Sequence, residues 1–204
     1  MIRVVLTSFV IGLALALATD KTYGQHSFGL SGGLGMATVV EGQPAWFDYD
    51  VVYGLALGLM FESAEWSRIA VRTGLQYVEQ GSQRTFHGID EGSIKLGYIR
   101  SPLLIKVRIL PGKFYPYIVG GPYGAYLMRS TLHYRGDVAA LVDYTRTFDF
   151  GVTVGGGIGS SWRRKHVFVE LNVNTGLSSV GRNVEVLTFR NSSVHLLTGM
   201  MFHF

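Results

Sequence analysis

An alternation of period two recurs eight times along this chain and limits what it can fold into. That period belongs to β-strands whose two faces meet different surroundings. The runs are Ser27 to Val39, Asp50 to Phe61, Ile69 to Gln80, Ser93 to Leu110, Phe114 to Ser130, Arg146 to Trp162, His166 to Val180, and Ser192 onward. In the second, Tyr53, Leu55, Leu57, Leu59 and Phe61 alternate with Gly54, Ala56 and Gly58. In the seventh, Val167, Val169, Leu171, Val173 and Leu177 alternate with Glu170, Asn172 and Asn174. In the eighth, Val194, Leu196, Thr198, Met200, Phe202 and Phe204 occupy every second place.

The connections alternate in length. Residues 62–68, 111–113 and 163–165 are short; 40–49, 81–92, 131–145 and 181–191 are longer and more polar. An even strand number with short turns on one rim and long loops on the other predicts an all-β, eight-stranded antiparallel up-and-down transmembrane β-barrel. In the fourth run the apolar phase slips, from Ile94, Leu96 and Tyr98 to Leu103, Ile105, Val107 and Ile109. A β-bulge between Ile99 and Pro102 would produce that slip. In the fifth run Tyr115, Tyr117, Val119, Tyr123 and Leu127 form the apolar face.

A soluble ligand-binding barrel alternates too, with its apolar face inward. Three features point the apolar face outward, to lipid. It carries essentially no charge, as expected where a mid-bilayer lysine or arginine costs about 2–4 kcal/mol. The other face is rich in small residues, with 27 glycines in the chain, which suits the narrow interior of eight strands. Aromatics gather near strand ends; Trp46, Trp66, Tyr115, Tyr117 and Trp162 are expected at the membrane boundaries. Phe202 and Phe204 resemble the closing signature that bacterial barrel-insertion machinery recognises, which makes that machinery an expected partner in biogenesis, alongside outer-membrane lipid.

The first residues read as a targeting segment. Arg3 precedes an apolar run from Val4 to Leu17, and cleavage is expected after Ala18 or Gly24. Residues 1–24 are thus expected to be a signal peptide and 25–204 the barrel. A membrane-anchor helix is the alternative, but the run is short of the ~20 residues a span needs.

The inward charges are expected to form a lumen network. Arg72, Lys106, Arg108 and Glu170 fall in its lower half, and Lys95 and Asp149 toward its outer half. Enclosed charges must be paired, so Glu170 is expected to meet one or more of the bases. A structural plug and an ion pathway are both compatible with this set.

The chain has no cysteine, which excludes disulfides, thiolate metal sites and cysteine nucleophiles. The run from Gly155 to Gly159 lies inside a strand and is not a phosphate-binding loop. His195 and His203 have no serine partner evident in the sequence, and neither catalytic residues nor a metal or cofactor site are expected. The net charge of +4 is scattered, with Arg163-Arg164-Lys165 the only tight cluster, so nucleic acid is not an expected partner. Arg135-Gly136-Asp137 matches an adhesion tripeptide, a pattern that also recurs by chance.

Tyr98, Pro102-Leu103-Leu104 with Lys106, Pro116-Tyr117 and Gly120-Gly121-Pro122 follow one another at family-like spacing. This stretch resembles the PorT-like, or outer-membrane β-barrel domain, family of small Gram-negative barrels common in Bacteroidetes. The resemblance covers roughly residues 25–204 and implies residence in the cell outer membrane. Some relatives are linked to protein secretion, and "porin" labels in such families do not imply a channel. The function expected is a non-enzymatic structural or loop-presenting binding scaffold. Alternatives are a subunit of an envelope assembly such as a secretion system, with a protein partner there, a small solute pore, or a lipid A modifying enzyme.

Overall fold

The computed structural model describes Val10 and residues 25–40, 48–86, 89–134, 137–140, 147–178 and 190–204. The expected signal peptide and Trp46 lie outside the described residues. Nine strands are described: β1 (Ser27–Val40), β2 (Asp48–Glu62), β3 (Ile69–Phe86), β4 (Ile89–Arg108), β5 (Phe114–Tyr134), β6 (Asp137–Ala140), β7 (Phe148–Trp162), β8 (Lys165–Gly176) and β9 (Arg190–His203). Eight of them pair antiparallel with their chain neighbours, and β1 pairs with β9 from Ser27 opposite His203 to Val40 opposite Arg190. The sheet therefore closes into an eight-stranded barrel with no free edge in its wall. β6 adds a short hairpin to the far end of β5.

Orientation follows the alternation. Leu55 is 50% exposed and Val169 is 54% exposed on the outer surface, while Arg72 and Glu170 are each 1% exposed inside. Leu30, Leu34, Leu57, Ile105, Ile118, Val154 and Leu196 join the outer band. Trp66 and Trp162 project outward beside the short turns, and Phe202 and Phe204 do so at the end of β9.

Three expectations are corrected by β4 and β5. β4 keeps one phase throughout, with Leu96, Tyr98, Arg100, Leu104 and Lys106 all inward. No bulge lies between Ile99 and Pro102. The extra residue is Met128 on β5, where pairing steps from Gly97 opposite Arg129 to Tyr98 opposite Leu127. Tyr115 and Tyr117 do not lie at a membrane boundary; both are 1% exposed and face the lumen, as do Val119, Tyr123 and Leu127. The physical cause is shared. The lumen holds apolar side chains of its own, in one cluster including Val78, Leu96, Tyr98, Tyr123 and Leu197 and another including Met60, Leu104, Phe168 and Met201. Apolar character therefore does not mark the outer face of these strands.

Two of the long connections are also shorter than expected. Only residues 87–88 separate β3 from β4, and β5 runs on to Tyr134 before β6. Asp137 opens β6, while Arg135 and Gly136 lie outside the described residues. β3, β4 and β5 span 18, 20 and 21 residues, against the ~9–11 that cross a bilayer. Their polar upper ends lack apolar alternation, so they read as loops in the sequence.

At the short-turn rim, Ser67 and Arg68 both hold positive φ, 47° and 77°. They form a two-residue hairpin between Trp66 and Ile69, which exchange backbone bonds of 2.7 and 2.8 Å. Positive φ at both central positions suits the strand twist and favours Asn-Gly over Ser-Arg.

Two outcomes are expected from urea unfolding of the barrel in lipid vesicles. Ser67→Asn with Arg68→Gly should stabilise the fold by about 1 kcal/mol. Val169→Arg, in the middle of the outer band, should cost about 2–4 kcal/mol.

Candidate functional site in the lumen

The short-turn half of the barrel interior contains four charges on four strands. Glu62 ends β2, Arg72 sits on β3, Lys106 on β4 and Glu170 on β8; all are buried. Arg72 Nη1 donates to Glu170 Oε2 at 2.5 Å, and Arg72 Nε donates to Glu62 Oε2 at 2.9 Å. Lys106 Nζ donates to Glu62 Oε1 at 2.7 Å. Asn172 Nδ2 donates to the other Glu170 oxygen at 2.8 Å. Two carboxylates thus meet two cations, the condition under which buried charges become tolerable. Arg108 stands nearer the rim, ion-paired with Glu65.

Aromatic faces complete the cage. The Arg72 guanidinium carbon lies 5.4 Å from the Tyr117 ring centre and 5.3 Å from that of Phe168. Lys106 Nζ lies 4.7 Å from Tyr117 and 5.3 Å from Tyr115, and the Arg108 guanidinium carbon 4.4 Å from Tyr115. Such contacts offset part of the desolvation of an enclosed cation. The glycine run of β7 makes room for the rings. A Cβ on Gly159 would come within 2.5–2.7 Å of the Tyr115 ring, and one on Gly157 within 2.7 Å of Tyr117 Oη.

A second polar layer lies toward the long connections. Arg100 Nη2 donates to Gln76 Oε1 at 3.0 Å, lies 3.2 Å from His195 Nδ1, and its guanidinium carbon is 5.3 Å from the Tyr123 ring. Thr153 Oγ1 donates to Asn174 Oδ1 at 2.8 Å, and Gln80 Nε2 to Ser193 Oγ at 3.2 Å. Asp149 is buried and accepts from Ser178 Oγ.

The structure therefore brings Arg72, Lys106 and Glu170 together, with Arg108 beside them and Asp149 in the upper layer. Lys95 is not in the lumen; it is exposed on the outer surface of β4. The inward phase of β4 falls on even positions, and the apparent slip had assigned Lys95 to the wrong face. Glu62, Glu65 and Arg100 were missed. Both glutamates fall in a stretch read as a turn, and Arg100 falls where the bulge was expected. His203 does have a serine partner: Ser27 Oγ lies 2.7 Å from its Nδ1. The two residues are directly opposite in the β1–β9 pairing, so the contact forms only on closure. Ser27 is buried and the nearby Glu62 carboxylate is committed to Arg72 and Lys106, which makes the contact a latch between first and last strands.

A closed eight-stranded wall with an apolar exterior and an ionic, ring-filled interior is the build of a small outer-membrane barrel. Residues 18–181 match the family described as outer membrane protein beta-barrel domain. The chain belongs to that family. It is an outer-membrane protein, with the rim of short turns facing the periplasm and the rim of long connections facing out. The matched segment ends before β9, the strand that closes this outer-membrane barrel against β1.

Solved structures show the same fold. Neisserial surface protein A is similar at a TM-score of 0.53 and 13% identity, over 87% of this chain and 97% of that one. The outer membrane protein OprG from Pseudomonas aeruginosa is similar at 0.53 and 12%, over 89% of this chain and 97% of that one. No curated protein matches the chain in sequence.

Removing one member of the lower network strands another without a partner. Arg72→Met should destabilise the barrel by about 3–5 kcal/mol in urea titration. Adding Glu170→Leu to Arg72→Met should recover part of that loss, because the buried carboxylate left without a cation is then gone.

Proposed function

We propose that the protein is a non-enzymatic scaffold whose barrel anchors a rigid β-wall outside the cell, where it binds an external partner. The observation that carries this reading is the extension of β3, β4 and β5 by roughly eight or more residues beyond what a bilayer requires. Binding residues commonly sit on segments held out from a rigid support. Beyond the apolar band, β3 pairs with β4 up to Phe86 opposite Ile89, and β4 pairs with β5 up to Ser93 opposite His133, so the described part of this wall is hydrogen-bonded sheet.

The interior favours a plug over a solute pore. Arg72, Tyr98, Tyr115, Tyr117, Met201 and Glu170 are among its fully buried side chains and contribute from several walls. A lipid A modifying enzyme would need an accessible activated nucleophile, and Ser27 beside His203 is buried.

The second reading is an accessory subunit of an envelope assembly, including a secretion system. It rests on the resemblance of the stretch around Tyr98, Leu104, Lys106 and Tyr117 to PorT-like proteins, some of which are linked to protein secretion; in this barrel those four side chains are packed within the lumen. On that reading the partner contacts the barrel in the envelope rather than in the medium.

Affinity isolation from native envelopes separates the two. Replacing residues 82–93 with a two-residue turn should abolish partner recovery on the scaffold reading while leaving the heat-modifiable gel shift of a folded barrel. A partner still recovered with that shortened protein would favour the assembly reading. Purified protein in planar bilayers should give no strong conductance; sustained ion current would refute the plug.

A further inference from the structure

Three adjacent strands carry their first outward charge within two residues of one level. On β3, Ile69, Val71, Thr73, Leu75 and Tyr77 precede Glu79. On β4, Val107, Ile105 and Leu103 begin an uncharged face that continues to Lys95. On β5, Phe114, Ile118 and Met128 are outward before Arg129. Gly97 lies opposite both Glu79 and Arg129, so these form one row across the wall, with Lys95 two residues higher. Glu79 stands ten residues beyond Ile69, and about ten tilted residues span the apolar band. The row therefore marks the outer edge of the hydrocarbon.

The bulge decides where Arg129 points. Odd positions of β5 face inward from Tyr115 to Leu127. The extra residue at Met128 reverses that phase, and Arg129 comes out while Ser130 goes in. Re-aiming a side chain is a characteristic effect of a bulge.

Lys95, Arg129, Glu79, Tyr77, Tyr53 and Val52 line a groove of about 260 Å³ on this outer surface. Gly97 forms part of its floor. A Cβ there would lie 2.9 Å from Tyr77 Oη, so glycine lets that ring lie across the strand. Arg129 Nε donates to Thr131 Oγ1 at 3.2 Å, which fixes the base of the guanidinium. Glu79 accepts from Leu55 N at 3.2 Å and from Tyr77 Oη at 3.3 Å, which ties its carboxylate to the protein. Among the described residues two cations face one occupied carboxylate, which leaves the groove positive, beside Leu55 and above the exposed chains of Leu57 and Leu59.

We infer that this groove binds the phosphate headgroup of a lipid in the outer leaflet, with the acyl chains lying along the apolar band below. Arginine and lysine together suit a phosphate: the guanidinium fork engages two oxygens and the ammonium a third. The tyrosines suit the polar–apolar boundary where a headgroup joins its chains. A soluble phosphate would gain the cations but not the apolar band. The inference rests on the membrane orientation of the barrel and is independent of the partner-binding reading above.

Native mass spectrometry of the full barrel released from detergent tests it, with bisphosphorylated lipid A as the probe. Retained lipid A is expected on the wild-type protein and should fall about tenfold or more in Lys95→Gln with Arg129→Gln. Arg163→Gln with Lys165→Gln, on the periplasmic rim, should leave retention unchanged. The gel shift of each sample reports its folding separately, and Arg129→Lys should restore part of the retention if charge at this place is what matters. Equal retention of dephosphorylated lipid A, or undiminished retention by the double variant, would overturn the inference. Displacement of the lipid by millimolar inorganic phosphate would also overturn it, by showing a simple anion site.

Discussion

Hydrocarbon offers a backbone no hydrogen-bond partners, and this single constraint organises the molecule. A sheet can enter lipid only if its edges are joined, because each unsatisfied amide or carbonyl there costs several kcal/mol. The joint here is the pairing of β1 with β9 over fourteen positions, from Ser27 and His203 to Val40 and Arg190. Residues at opposite ends of the chain thereby become neighbours, and the Ser27–His203 contact exists only because of it.

Closure creates an inside, and the inside needs its own solution. Eight strands leave space for side chains and little else. The chain fills it in layers. Apolar residues such as Leu197 and Met201 occupy parts of it, and the Glu62–Arg72–Lys106–Glu170 network occupies the periplasmic half. Every charge in that network has a partner of opposite sign, and Tyr115, Tyr117 and Phe168 turn ring faces to the cations. The lumen thus behaves as a core, while the outer surface is matched to lipid below and to water and headgroups above. The transition between those solvents falls at the row of Glu79 and Arg129, with Lys95 just above it.

Much of the barrel was legible in the residues. Where one face is glycine or polar and the other aliphatic, as in β1, β2, β8 and β9, the outward set is read directly from period two. Glu170 was legible as an inward charge needing a base because Val169 and Leu171 flank it on an unmistakable outer face. The failures lie on β4 and β5, where both faces are apolar for much of their length. Leu96 and Tyr98 look like lipid-facing residues yet face the interior, in one cluster with Val78 and Tyr123 of the neighbouring strands. A misread phase on β4 moved Lys95 inside, and one on β5 moved Tyr115 and Tyr117 outside. Glu62 was lost for a different reason, since the periodic signal weakens at a strand end.

The sequence by itself determined the strand count, the antiparallel order and the outward face of most strands, because a two-sided environment writes its period into composition. Tertiary structure decided the rest: which base meets Glu170, where the bulge falls, and which way Arg129 points. Those are questions about partners distant in the chain, such as Arg72 and Glu170, whose positions are set only when the wall curls and closes. A local pattern records the solvent on each side of a strand; it holds no record of what stands across the barrel.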